Sequence, residues 1–276
     1  MDGKIQIMVN GRKVVLDKSL SVVELWNQQA ESGTPDITIL NGFLIDSKDS
    51  EKSLHDGDAV VFIRRGVMPS EDEFMSMLTA RNSPALQESF KKACVGIAGL
   101  GGLGSHVATA LARTGVGRLV LVDYDVVEPS NLNRQCYDAA DIGRYKVDAL
   151  SESISRFNPF LKLVLHRLEL NKENVFSVFA DCDVVVEAFD KAEAKAMLVR
   201  SFACAPFHSK FLITASGLAG IGSPNDIQTR RLTRNVILSG DMVSAAKQGE
   251  GLMAPRVMVT AGHQATTVLR ILAGRE

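Results

Sequence analysis

Near the middle of the chain, Gly99-Leu100-Gly101-Gly102-Leu103-Gly104 sets glycines in a G-x-G-x-x-G spacing, and an acid, Asp123, follows 24 positions after the first of them. Glycines let backbone approach a phosphate closely. A helix beginning there would offer its positive end, and a carboxylate after the next strand would accept hydrogen bonds from ribose hydroxyls. The flanks give the pattern its weight. Val95 to Ala98 is a short apolar run, Ser105 to about Arg113 reads as a helix, and Arg118 to Asp123 is the near-continuous apolar run of a buried parallel strand. The arrangement points to nucleotide binding. The alternative use of the same glycines is a tight turn with close helix–strand packing, and thus far a nicotinamide-dependent dehydrogenase would fit.

The next segment changes the chemistry. Asp123-Tyr-Asp125-Val-Val-Glu-Pro-Ser-Asn131-Leu-Asn133-Arg134-Gln135 is polar and leaves a strand end, and Gly143-Arg-Tyr-Lys146 follows shortly after. Hydride transfer needs no cations beside the phosphates. Displacement at a nucleotide phosphate does, because the leaving pyrophosphate carries charge that must be stabilised. Arg134 and Lys146 would serve that purpose if this segment folds over the glycine loop; otherwise each is a solvated surface charge.

These side chains need a scaffold. Around them, Leu161 to Leu168, Asp183 to Val186 and Phe211 to Ala215 read as further strands, with helical stretches at Ser151 to Asn158 and Ala192 to Ala205. Alternating strands and helices predict an α/β fold, a Rossmann-like domain with a mainly parallel sheet. The first 66 residues read as a separate unit. Asn10-Gly11 suits a two-residue hairpin turn between Ile5–Val9 and Lys13–Leu16. Ser21-x-x-Glu24 forms a capping box for a helix through about Ala30, with Val22, Val23 and Trp26 on its apolar face. Ile37–Leu40 and Ala59–Arg64 complete a ββαββ order that fits a ubiquitin-like β-grasp, an α+β unit. The expected division is residues 1–66 for that unit, 67–92 for a linker and two short helices, and 93–276 for the nucleotide-binding domain.

Composition narrows the class. Of 276 residues, 46% are hydrophobic and 23% charged, and the net charge is -1, which argues against a disordered chain, a coiled-coil rod and a non-specific nucleic-acid or membrane-surface binder. No apolar run approaches the roughly 20 residues of a membrane span, and the opening residues do not read as a secretory signal, so a cytoplasmic protein is expected. Cys94, Cys136, Cys182 and Cys204 form no C-x-x-C pair, which predicts neither a disulfide framework nor a cysteine zinc site. Cys204 falls in an apolar stretch and reads as a buried core cysteine; Cys136, next to the Arg-Gln motif, is the better placed of the two for chemistry.

The glycine loop, the Asp123-to-Gln135 string and Lys146 together resemble the ThiF/MoeB/HesA family, bacterial relatives of ubiquitin-activating enzymes. Glu187-Ala-Phe-Asp190-Lys-Ala-Glu-Ala-Lys, Gln228-Thr-Arg-Arg and Gly251-Leu-Met-Ala-Pro-Arg look like the ThiF branch tied to thiamin synthesis. The residues before Gly66 resemble the small sulfur carrier ThiS. The resemblance implies an adenylyltransferase that uses ATP and Mg2+ to adenylylate the C-terminal Gly-Gly carboxylate of a ubiquitin-like, ThiS-like sulfur carrier. Carried over residue by residue, Gly99, Gly101, Gly102 and Gly104 form the nucleotide loop and Asp123 takes the ribose. Asn131, Arg134 and Lys146 face the phosphates with Asp125 beside them, and Asp190 takes part in metal binding and catalysis. The resemblance also implies a homodimer in which Arg81 reaches the partner subunit's ATP site. The region from about Gly240 to Pro255, where some members carry a covalent cysteine, has none here, so adenylylation without an enzyme thioester or persulfide is expected. Gly66 is followed by Val67, so the N-terminal unit has no terminal carboxylate of its own and cannot be the adenylylated substrate unless it is cleaved. Two other readings are a related branch that adenylates a carboxylate on modified tRNA, and a nucleotide-binding partner module without catalysis.

Overall fold

The structure is a computed structural model that describes residues 4–17, 20–29, 35–46, 49–79, 84–204, 207–246 and 250–276. The chain divides into two compact units, Met1–Gln87 and Glu88–Glu276.

The first unit holds a five-stranded sheet and, among the described residues, two full α-helices. Strands β1 (Lys4–Val9) and β2 (Arg12–Asp17) pair antiparallel around Asn10-Gly11, both with positive φ, as a two-residue hairpin requires. Helix α1 (Val22–Gln29) opens with the expected box: the Ser21 N–H donates to Glu24 at 2.7 Å, and the Glu24 N–H to the Ser21 hydroxyl at 3.3 Å. Then come β3 (Ile37–Leu40), β4 (Phe43–Ile45), β5 (Ala59–Ile63) and helix α2 (Glu71–Leu78). The strand order is β2-β1-β5-β3-β4, with β1 and β5 parallel at the centre, as in a ubiquitin-like β-grasp. Two details differ from expectation. The order gains β4, a three-residue return across Asn41-Gly42 that is too short to stand out in the sequence. On α1 the buried stripe is Val22, Leu25 and Trp26, while Val23 is 40% exposed. At 100° per residue, positions 22, 25 and 26 share a face and 23 turns away from it.

The second unit is a parallel-rich sheet between two layers of helices. Helix α3 (Pro84–Lys92) leads into β6 (Cys94–Ala98), α4 (Gly102–Arg113) and β7 (Arg118–Val122). They are followed by α5 (Lys146–Phe157), β8 (Lys162–His166), α6 (Val175–Val178), β9 (Val184–Glu187) and α7 (Ala192–Phe202). The chain then runs through β10 (Phe211–Ala215), β11 (Gln228–Arg231), β12 (Val236–Gly240) and α8 (Ala254–Leu272). Strand order is β11-β12-β10-β9-β6-β7-β8, and every neighbouring pair is parallel except β11 with β12. Read along the parallel strands, this is the doubly wound dinucleotide-binding order, with its switch point between β6 and β9.

The central strands are buried on both faces, which is why they read as unbroken apolar runs. Val95, Ile97, Leu119, Leu121, Val184 and Val186 join one core with α4, α5 and α8; Cys94, Ala98, Val120, Val122 and Val185 join the other with α6 and α7. Helices α4 and α5 start earlier than the sequence suggests, α4 inside the glycine loop itself and α5 at Lys146. Glycines at 102 and 104 are poor helix formers, so sequence alone reads them as loop. Among the described residues, no helix is long and apolar enough to cross a membrane.

Candidate nucleotide site

Beyond Ala98 the chain makes its turn at Gly99, whose φ is +90° and whose N–H donates to the Val122 carbonyl at 2.9 Å. A Cβ there would lie 2.9 Å from the Ala188 carbonyl oxygen, so the loop passes close under the exit of β9. At Gly104 a Cβ would lie 1.9 Å from the Gly99 oxygen, so the missing side chain lets α4 pack against the loop. Gly101 is different. A Cβ there would meet only Gln135 Nε2, at 3.8 Å, and the space before it is open. Gly101 caps α4, so the helix N-terminus, with its positive dipole end, faces that space.

Asp123 follows β7 and is buried. One oxygen accepts the Leu100 N–H at 2.7 Å and the other the Asp125 N–H at 2.8 Å, which ties the acid to the glycine loop. Burial raises its pKa above the ordinary carboxylate value, against those two bonds and the Lys146 charge. Each oxygen keeps a further lone pair for a ligand hydroxyl.

The polar segment after Asp123 is a folded excursion. A 3-10 turn at Pro129–Asn131 is closed by the Asn131 side chain, which accepts the Glu128 N–H at 3.1 Å. The chain returns when the Lys146 N–H donates to the Asp125 carbonyl at 3.0 Å. Lys146, the first residue of α5, is buried, and its Nζ donates to the Asp125 carboxylate at 3.0 Å. Arg134 donates from one terminal nitrogen to the Ser130 carbonyl at 3.1 Å and the Asn133 side chain at 2.8 Å, both neutral oxygens. Its Nε is buried with no hydrogen-bond partner among the described residues.

These residues converge. Gly99, Gly101, Gly102, Asp123, Asp125, Asn131, Arg134, Lys146 and Asp190 line one cleft of about 860 Å³ at the switch point of the sheet. Gly104 does not line it and sits behind the loop. Asp190 is exposed on the β9 side of the cleft, and beside it the Lys191 ammonium reaches the Tyr124 hydroxyl at 3.4 Å across the mouth. Arg81 lies outside the described residues.

Sequence reasoning missed the brace beneath this cleft. Glu187, with 0% exposure, closes β9 after three valines and accepts two contacts from the Lys195 ammonium, at 2.8 and 3.1 Å. It also accepts the Phe189 N–H at 2.7 Å and the Thr214 hydroxyl, while Lys195 donates to the Ala215 carbonyl at 3.0 Å. The pair knots the exits of β9 and β10 to α7. An acid ending an apolar strand was its signal in the sequence. A second buried pair was also missed. Arg256 near the start of α8 donates to the Gly222 and Ser223 carbonyls at 2.6 and 2.7 Å and to Asp241 at 2.5 Å. Burial alone would raise Asp241, but the Ser244 hydroxyl, the Ser244 and Val243 N–H groups and Arg256 outweigh it and hold the carboxyl well below its usual range.

The cysteines sort clearly. Cys204 is exposed, which corrects its expected burial: α7 ends at Phe202, and Cys204 stands in the turn beyond. Cys136 does not line the cleft. Its sulfur lies 3.1 Å from His106 Nδ1, and burial pushes the thiol up.

Comparison with known proteins bears on this geometry. Residues 75–276 match the ThiF family, and residues 5–66 match ThiS-like ubiquitin. The chain is 31% identical over 193 residues to the molybdopterin-synthase adenylyltransferase of Escherichia coli K12, across 68% of this chain and 76% of that protein. It is 39% identical over 105 residues to the probable adenylyltransferase/sulfurtransferase MoeZ of Mycobacterium tuberculosis, across 38% of this chain and 27% of that longer protein. Among solved structures, the E. coli tRNA N6-threonylcarbamoyladenosine dehydratase TcdA in complex with ATP superposes with a TM-score of 0.68 at 21% identity, across 76% of this chain and 98% of that one. At that identity the likeness is one of fold.

Proposed function

The chain belongs to the ThiF family, and from that premise we propose that it is an ATP-dependent adenylyltransferase acting on a ubiquitin-like sulfur carrier of the ThiS type. The observation that carries the reading is a convergence on one cleft: a helix N-terminus, the buried Lys146, and an Arg134 that, among the described residues, bonds to neutral oxygens and has an unpartnered Nε. Such a cleft suits a polyphosphate, and neither cation is required for hydride transfer.

In this reading the open space before Gly101 admits the phosphates and Asp123 receives the ribose hydroxyls. A C-terminal carboxylate of the carrier is ionised at neutral pH and needs no general base. One of its oxygens forms a bond to the α-phosphorus, and the bond from that phosphorus to the bridging oxygen breaks. The products are the acyl-adenylate and pyrophosphate. Arg134 and Lys146 stabilise the charge that grows on the departing oxygens, while Asn131 and Asp125 hold the segment that carries them. Asp190 would hold Mg2+ in this reading, and the ion would supply further neutralisation of phosphate charge when bound. We assign the carrier to thiamin synthesis on the strength of the Glu187-to-Lys195 and Gly251-to-Arg256 strings. The protein is read as a cytoplasmic homodimer with Arg81 completing the partner's site. Residues 1–66 act as a carrier-like accessory, joined through 67–92 to the adenylylation domain 93–276.

ATP–pyrophosphate exchange tests this. The 276-residue chain with MgATP and a Gly-Gly-ended ThiS-like carrier should exchange label, and Arg134→Ala should not rise above background. Exchange elicited by modified tRNA and not by any carrier would move the substrate to RNA, and ATP binding without exchange under either condition would leave a binding module.

A further inference from the structure

At the end of the sheet away from the glycine loop, two thiols face each other. Cys94 opens β6 and Cys182 stands two residues before β9, its parallel neighbour; the sulfurs are 3.7 Å apart. The backbone holds them in register. The Cys94 N–H donates to the Asp183 carboxylate and the Asp183 N–H to the Cys94 carbonyl, both at 2.9 Å. Both cysteines are buried, at 4% and 0% exposure.

Their surroundings are charged. Arg118, the first residue of β7 on the other flank of β6, donates its Nε–H to Cys94 Sγ at 3.1 Å and reaches Asp181 at 3.4 Å. The Lys210 ammonium donates to the Ala180 and Cys182 carbonyls at 2.7 and 2.5 Å. The bond with Cys182, and then Arg118, lower the Cys94 pKa against its burial and against the nearby Asp183. The same bond and burial raise Cys182, against Lys210 and Arg118. One sulfur is thus disposed to be a thiolate and the other to keep its proton, the division that thiol–disulfide chemistry uses. Arg118 is 36% exposed, so the Cys94 sulfur it touches lies one side chain beneath the surface.

We propose that Cys94 and Cys182 form an oxidisable dithiol, a site where a peroxide or a diazene oxidant converts two thiols into an intrachain disulfide linking β6 to the segment that enters β9. With peroxide, the Cys94 thiolate attacks one oxygen, the O–O bond breaks, and the departing hydroxide takes up a proton as water. Cys94 is then a sulfenic acid. The Cys182 sulfur attacks it, the S–O bond breaks, and the hydroxyl leaves with the Cys182 proton as a second water. Two electrons pass from the sulfurs to the peroxide. Bond formation needs the sulfurs to close from 3.7 Å to about 2 Å. Asp183, bonded to the Cys94 N–H and carbonyl, already holds the two segments in register for that approach.

The test is oxidation of the full chain under native conditions by hydrogen peroxide and, separately, by diamide. The expected result is a mass loss of about 2 Da that dithiothreitol reverses, with a non-reduced digest linking the Cys94 and Cys182 peptides. In Cys182→Ser, the link is lost and peroxide leaves a dimedone-reactive sulfenic acid at Cys94. Arg118→Met slows oxidation roughly tenfold. If that serine variant does not fold, the wild-type digest alone decides. The proposal is overturned if, after treatment, both thiols remain free to alkylation in denaturant, or if the recovered link runs through Cys136 or Cys204.

Discussion

Arg134 directs its clear hydrogen bonds to neutral oxygens and keeps a buried Nε without a partner among the described residues. A group that acts on charge developing during the reaction should affect rate more than ground-state binding. Arg134→Lys keeps the charge but loses the planar fork, so exchange should fall by roughly a hundredfold while ATP affinity, measured by calorimetry, moves far less. Two glycines of one loop should separate stability from binding. Gly104→Ala forces a Cβ toward the Gly99 oxygen and should cost about 1–3 kcal/mol by denaturant melt. Gly101→Ala meets nothing closer than Gln135, so its melt should be unchanged while ATP binding weakens. Asp123 adds a pH dependence. Its folded pKa is raised, so the cost of ionising it is present above that pKa and is lifted on acidification toward the ordinary carboxylate value. The acidified carboxyl accepts fewer bonds, and ATP affinity should therefore decline over the same interval. Asp123→Asn should bind weakly at every pH and lose that limb in a calorimetric pH series.

At the scale of elements, the strands and helices that carry the loop were legible because each signal is local. A parallel strand buried on both faces reads as an apolar run, as with Arg118–Val122 and Phe211–Ala215, and the capping box at Ser21 and Glu24 marks its own helix. What escaped depends on distance in sequence. The Glu187–Lys195 brace is set by where β9, β10 and α7 meet, and the Arg256–Asp241 pair by loops that approach only in three dimensions. The antiparallel edge β11 coincides with the Gln228-Thr-Arg-Arg string and α8 begins within the Gly251-to-Arg256 string, but neither they nor β12 were read as elements from the sequence. These braces carry their own expectation. Lys195→Met leaves Glu187 buried without its cation and should destabilise the second unit by about 3–5 kcal/mol in urea melts. Thr214→Val removes one bond to the same acid and should cost about 1 kcal/mol.

Across the whole molecule, the first unit has an apolar core of its own, with Trp26 set edge-on against Phe62 at 4.8 Å. Gly66 continues through a peptide bond into Val67, so that unit, uncleaved, has no C-terminal carboxylate to adenylylate. A chain beginning at Ser70 should therefore still catalyse pyrophosphate exchange; loss of exchange in that shortened chain would make the first unit part of carrier docking. The order of the second sheet bears on the chain's history as well as on its chemistry. The nucleotide cleft opens between β6 and β9, strands that touch along their length although Ala98 and Val184 stand 86 positions apart. Everything needed for the glycine loop, Asp123, Arg134 and Lys146 precedes β9, yet the opposite wall, with Ala188 and Asp190, follows it. On the ribosome, a nascent chain stopped before β9 emerges has half a cleft and an unpaired flank on β6. Closing so long a loop is slow relative to local pairing. ATP capture should thus arise late in synthesis, and in refolding it should lag behind the recovery of helical signal.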